Sequence, residues 1–184
     1  MKTLVKSTLV LLTLSGLTLA QADGLDPAAQ AKLDTKVKLV QTWAADPAIV
    51  SAVKAHNSAP SADAAAMTQE KWKAASILDG FVRSFTKNPA AEFLKSKRTD
   101  ALSEAFLSGA DGTKVAFLSK PSNWAHKGKA KHDEPMAGKN WQGAVEVDES
   151  SGQQQIQVAV PVLDGDKAIG SLVVGFNVSK LANE

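Results

Sequence analysis

Gln155-Ile156-Gln157-Val158-Ala159-Val160-Pro161-Val162 places Ile156, Val158, Val160 and Val162 on one side of an extended chain, and polar or small residues on the other. This is the pattern of a half-buried strand. Ala168-Ile169-Gly170-Ser171-Leu172-Val173-Val174-Gly175-Phe176-Asn177-Val178 follows across an Asp164-Gly165 turn. It is apolar on both sides, with Leu172, Val174, Phe176 and Val178 opposing Ile169 and Val173, as expected of the central strand of a sheet covered on both faces. Gly170 and Gly175 leave room there for a close approach.

Working outward, further strands are expected near Leu102–Ser108, Lys114–Ser119 and Ala144–Asp148, with turns at Asp111-Gly112 and Ser151-Gly152. The first half of the chain has helical spacing instead. Asp26-Pro27 supplies an N-cap and a proline at the first helical position for a helix carrying Leu33, Val37, Val40 and Trp43. Asp46-Pro47 repeats the signal, so the chain kinks or restarts before Ile49, Val50 and Val53. Ser58–Asp63 reads as a polar connector. Thr68 is an N-cap for a helix with Trp72, Ala75, Leu78, Phe81, Val82 and Phe85 on its apolar side, and Asn88-Pro89 starts a short helix with Phe93 and Leu94. Helices segregated ahead of an antiparallel meander define an α+β fold: long N-terminal helices (residues 23–100) packed on a five-stranded, mostly antiparallel sheet (residues 101–184).

The ordered motifs Leu107-Ser108-Gly109-Ala110-Asp111-Gly112-Thr113-Lys114-Val115-Ala116, Val147-Asp148-Glu149-Ser150, Val160-Pro161-Val162 and Ile169-Gly170-Ser171-Leu172-Val173-Val174-Gly175 resemble those of a single Cache domain. Cache domains are the extracytoplasmic, PAS-like sensor domains of bacteria. The resemblance covers roughly the second half of the chain. It implies a small-molecule site under the connection between the second and third strands, and a role in ligand sensing for signal transduction.

Residues 1–22 read as a signal peptide: Lys2 and Lys6 form a basic section, Thr8–Leu19 an apolar one, and Ala20-Gln21-Ala22 a cleavage site, so the mature chain is expected to start at Asp23. The alternative is an uncleaved anchor, for which the apolar run is short of the roughly 20 residues a spanning helix needs. Cysteine is absent, which excludes disulfides and a lipid-bearing cysteine. The formal charge of +2 falls to neutral once Lys2 and Lys6 leave, giving no electrostatic footprint for nucleic acid. The remaining chain has the length of one domain, 23–184, in a periplasmic or secreted location, with no membrane span after cleavage.

Lys120–Asn140 is too long for a simple connector. It gathers Trp124, His126, Lys127, Lys131, His132 and Asp133 and is closed by Trp141. An aromatic wall with a few polar tips suits a small polar or anionic ligand. Trp124, His126, Lys131, His132 and Trp141 are therefore the candidate ligand-binding residues, with Arg83, one of two arginines, as a further candidate for a carboxylate ligand. The same tryptophans also read as pins holding the loop to the core, and the lysines as solvated. His126, His132 and Asp133 fit no usual metal spacing, and Asp164-Gly165-Asp166 lacks the distal Glu of a calcium loop. No nucleophile elbow, HExxH or phosphate-binding glycine loop is present. The expectation is a non-catalytic binding protein without cofactor, taking a small ligand such as a carboxylate or amino acid, with a membrane receptor as its candidate partner. A partner-binding accessory module, or a small enzyme using the His126/His132 loop, are the competing classes.

Overall fold

A computed structural model describes residues 25–147 and 152–183. The expected signal peptide and the Asp148-Glu149-Ser150 part of the sequence motif lie outside the described residues. Helix α1 spans Pro27–Ala44 and α2 Pro47–Ser58. The Asp26 carboxylate accepts the N–H groups of Ala28 and Ala29, both at 2.9 Å, and Asp46 that of Ala48 at 2.8 Å, so the chain restarts at Pro47 rather than kinking through it. Helix α6 (Pro89–Ser96) begins at Asn88, whose Oδ1 accepts from Ala91 N–H at 2.9 Å while Nδ2 donates to the Val115 carbonyl at 2.7 Å. One side chain thus caps a helix and ties it to the sheet.

The expected helix from Thr68 is broken in two, α4 (Gln69–Ala74) and α5 (Gly80–Ser84). Ser76 Oγ accepts from Leu78 N–H and Asp79 from Phe81 N–H, so side chains take the backbone donors a continuous helix would use. Trp72, Val82 and Phe85 remain buried, but Leu78 is 75 % exposed. Three short helices were not expected: α3 (Ala62–Ala65) in the polar connector, α7 (Ala130–Met136) inside the long connection, and α8 (Val178–Asn183). The last replaces the predicted end of a strand because Asn177 Oδ1 accepts from Lys180 N–H at 3.0 Å and turns the chain.

The strands are β1 (Leu102–Gly109), β2 (Lys114–Phe117), β3 (Trp141–Val147), β4 (Gln154–Asp164) and β5 (Lys167–Asn177). They form one antiparallel sheet in the order β2-β1-β5-β4-β3, with β5 central as its two-sided apolar pattern predicts. One face carries Leu107, Ile156, Val158, Val160, Val162, Leu172, Val174 and Phe176 against Leu33, Val40 and Trp43 of α1, Ile49 and Val53 of α2, and Leu94 of α6. The opposite face carries Phe106, Ala159 and Val173 against Trp72, Val82, Phe85 and Trp124.

The second face also carries a polar seam. A register shift between β1 and β2 pairs Ser108 with Lys114, leaving Val115 as the extra residue and packing it on the helical side. Lys114 is fully buried, and its Nζ lies 2.6 Å from His126 Nδ1 and 3.3 Å from Ser108 Oγ. The His126 ring stacks on Phe106 with centroids 4.8 Å apart, and its backbone N–H donates to Gly112 O at 2.9 Å. On β5, the cross-strand partner of Ser108 is Ser171, whose Oγ is 2.8 Å from His132 Nδ1. The connection between β2 and β3 is therefore fastened to the sheet at two adjacent points. Burial, reinforced by the Lys131 charge, pushes the Lys114 ammonium down to about 7. Burial and the Lys114 and Lys131 charges hold His126 neutral.

Val158 has no solvent exposure, so Val158→Asp should bury an unpaired carboxylate. The expected cost is about 3 kcal/mol or more, a fall in Tm of roughly 6 °C or more by thermal denaturation. An unchanged Tm would show that the helices do not cover this face. The seam predicts a pH effect. Unfolded Lys114 keeps its proton up to roughly pH 10, whereas the native residue releases it near 7, so the unfolded state binds more protons in between and native stability should rise with pH. Urea unfolding of wild type and Lys114→Met at pH 6, 7, 8 and 9 should show wild type gaining on the variant above pH 7, with a slope approaching about 1.4 kcal/mol per pH unit. A pH-independent difference would contradict the assignment.

Candidate ligand-binding cavity

The strand alternation that buries Ile156 and Val158 among the helices turns Gln155 and Gln157 to the other face, where Glu104 and Phe106 of β1 and Glu146 of β3 join them. These residues form the floor of a cavity of about 530 Å³. Its walls are the first part of the connection, Ser119–Asn123, together with His126 and Lys131. The volume is that of a small-molecule site.

Gly175 organises the floor. It pairs with Glu104 on one side and Gln157 on the other, and a Cβ there would come within 2.8 Å of Glu104 Cγ and Ser103 Oγ. Without that Cβ, side chains from the two flanking strands meet across the central one: Gln157 Nε2 donates to Glu104 Oε1, and Ser103 Oγ donates to Gln155 Oε1 at 2.9 Å. Lys131 Nζ, entering from α7, donates to Gln157 Oε1. The result is a relay from lysine through amide to carboxylate. Burial lowers the Lys131 pKa, while Glu104 and Glu146 oppose that shift.

Of the residues singled out in the sequence, His126 and Lys131 line this cavity. Trp124 lies instead in the aromatic cluster, its ring 5.0 Å from Trp72, 5.6 Å from Phe85 and 5.9 Å from Phe81, where it anchors the start of the connection. His132 is turned onto Ser171. Trp141 borders a more open groove with Val37 and Lys38 of α1, although its ring centroid is 5.9 Å from Lys131 Nζ. Arg83 lines another surface groove with Lys87 and Asn88. Sequence reading passed over Glu104, Gln155, Gln157 and Glu146. For Gln155 and Gln157 the signal was present in the polar side of the β4 alternation, which reads as a solvent face until the connection folds over it.

Lys120 lines the rim, but its Nζ also donates to the Trp72 carbonyl at 2.6 Å and sits 4.8 Å from that ring. Among the described residues no group of three His, Cys, Asp or Glu side chains is placed to hold a metal ion. Nor is any described helix long and apolar enough to cross a membrane.

No protein-family profile matches the chain, and no curated protein matches it. Several solved structures are similar at low identity. The ligand-binding domain of the Pseudomonas aeruginosa PAO1 amino acid chemoreceptor PctC, in complex with GABA, is 16 % identical with a TM-score of 0.47, over 84 % of this chain and 58 % of that one. That of the Pseudomonas fluorescens chemoreceptor CtaA, in complex with L-leucine, has the same identity and TM-score over 85 % and 54 %. The sensor domain of the Vibrio cholerae histidine kinase DctB is 16 % identical with a TM-score of 0.38 over 83 % and 58 %. The chain thus spans little more than half the length of these structures.

Proposed function

We propose that the chain is a Cache-like domain that binds a small polar molecule in the Glu104/Gln157/Lys131 cavity and acts as an extracytoplasmic, sensor-type binding protein without catalysis. The observation that carries this reading is the position of the cavity: it lies on the sheet face beneath the connection between the second and third strands, where the sequence resemblance implies a ligand. The chemistry of the lining agrees, since amides, hydroxyls and charged tips orient a ligand. The nucleophile–base–orienter geometry that an acyl- or group-transfer enzyme needs is not what these residues form; Lys131, Gln157 and Glu104 are engaged with one another as a recognition surface. Periplasmic export, through the basic and apolar segment at residues 1–22, and a membrane receptor as the partner that reads the ligand-bound state belong to the same proposal.

A thermal-shift screen of small polar metabolites tests it. A ligand at about 100 times its Kd adds roughly 2.7 kcal/mol, which should raise Tm by about 5 °C or more. Gln157→Leu removes the middle of the floor relay and should weaken the same ligand at least several-fold in titration calorimetry, while the variant stays folded. Absence of any stabilising metabolite, or unchanged affinity in Gln157→Leu, would overturn the assignment of this cavity.

A further inference from the structure

The sheet ends in two edges, β2 and β3, and only one of them is closed. On β2 the outward groups are taken up: Val115 O accepts from Asn88 Nδ2 at 2.7 Å, and Phe117 N–H donates to Phe85 O at 3.1 Å. On β3 no described residue bonds to the outer side of the strand. Adjacent residues of an antiparallel strand alternate between facing their partner and facing away, so one of Trp141 and Gln142 directs both its N–H and its C=O outward. Such an edge is a template for another extended backbone. Beside it runs a groove of about 470 Å³, walled by Asp34, Val37, Lys38 and Gln41, which share one side of α1. The amides of Gln30 and Gln142 donate to each other at 2.9 and 3.0 Å, and Gln41 Nε2 donates to Asn140 Oδ1 at 3.3 Å, so α1 lies along the edge and runs antiparallel to β3. Asp34 and Lys38 are exposed, and neither forms an ion pair among the described residues. The neighbouring cations are placed elsewhere. Lys139 is paired with Glu134 at 3.5 Å, Lys32 Nζ donates to the Ala182 carbonyl, and Lys36 projects with Lys32 from the opposite side of α1.

We infer that β3 and α1 form a docking groove for an extended segment of a partner protein, which adds a sixth strand beside β3 and sets a basic and an acidic side chain, two positions apart, against Asp34 and Lys38. The spacings agree: four helical residues rise about 6 Å, and alternate side chains of a strand lie about 7 Å apart. A segment antiparallel to β3 runs parallel to α1 and meets Asp34 before Lys38, so its basic residue precedes its acidic one. The aliphatic stems of both side chains then cover Val37. A second copy of the chain is the poorer occupant, because it would bring the Gly143-Ala144 bulge of its own β3 against this one. The groove is separate from the cavity, and the docking neither requires nor excludes a ligand there.

The probe is the peptide Thr-Val-Lys-Val-Glu-Val-Thr-amide, labelled with fluorescein at its N-terminus and followed by fluorescence anisotropy. It should bind wild-type protein, and the peptide with Lys and Glu exchanged should bind at least roughly five-fold more weakly. Combining Asp34→Lys with Lys38→Glu, both on exposed positions, should reverse that preference. N-methylation tests the backbone separately, because alternate N–H groups of a strand face opposite edges. Methylating one of two adjacent central residues, the lysine or the valine after it, should abolish binding, while methylating the other should leave affinity within about two-fold. Absence of binding, an equal or reversed preference for charge order in wild type, no reversal in the double variant, or equal effects of the two N-methyl groups would each overturn the inference. A protein dimer in sedimentation analysis that the peptide dissociates would assign the edge to a second copy and overturn it as well.

Discussion

Strand β5 must be covered on both faces, and the molecule is arranged around that requirement. Leu172, Val174 and Phe176 need a dry partner on one side, which α1, α2 and α6 supply. Val173 needs one on the other, yet the same face runs from Ser171 through Val173 to Gly175, from a buried hydroxyl through an apolar centre to an open gap. A single uniform cover cannot suit all three. The aromatic cluster closes the middle, the connection is fastened by polar contacts at one end, and the other end stays open as the cavity.

The polar contacts at the closed end are costly to bury, and their arrangement shows why they are tolerated. While Lys114 holds its proton it can only donate, so His126 then presents Nδ1 as an acceptor and carries its own proton on Nε2. Neutral His126 and easily deprotonated Lys114 satisfy one another without requiring two adjacent buried cations. Ser108 and Ser171, paired across β1 and β5, take one partner each, Lys114 of β2 and His132 of the connection. Hydrogen bonds of this kind contribute little net stability but are expensive to leave unmade, which makes them better at selecting one docking geometry than at holding it.

Much of this was legible in the sequence because it depends on local signals. Asp26-Pro27, Asp46-Pro47 and Asn88-Pro89 mark three helix starts through caps that need no tertiary context. The alternation of β4 and the two-sided pattern of β5 placed the core face and the central strand. What escaped depends on contacts distant in sequence. The break between α4 and α5 comes from Ser76 and Asp79 competing for backbone donors beside an apolar stripe that otherwise reads as continuous. Trp124 reads both as a cavity wall and as a pin to the core, and the partners that make it a pin, Trp72 and Phe85, come from another part of the chain. Glu104 and Gln157 lie 53 residues apart and meet only because Gly175 stands between them.

The register shift at β1–β2 has a consequence for how this region tolerates change. Because Val115 is the extra residue, the side on which Lys114 emerges is set by the bulge between it and Ala116, with no contribution from the chemistry of the lysine itself. If β2 paired in regular alternation from Ala116 with every residue kept, an isopropyl group would replace the ammonium beneath His126 and the charge would turn toward the dry helical layer. Substitutions along β2 can be absorbed one at a time, whereas loss of the bulge would invert inside and outside at a single stroke.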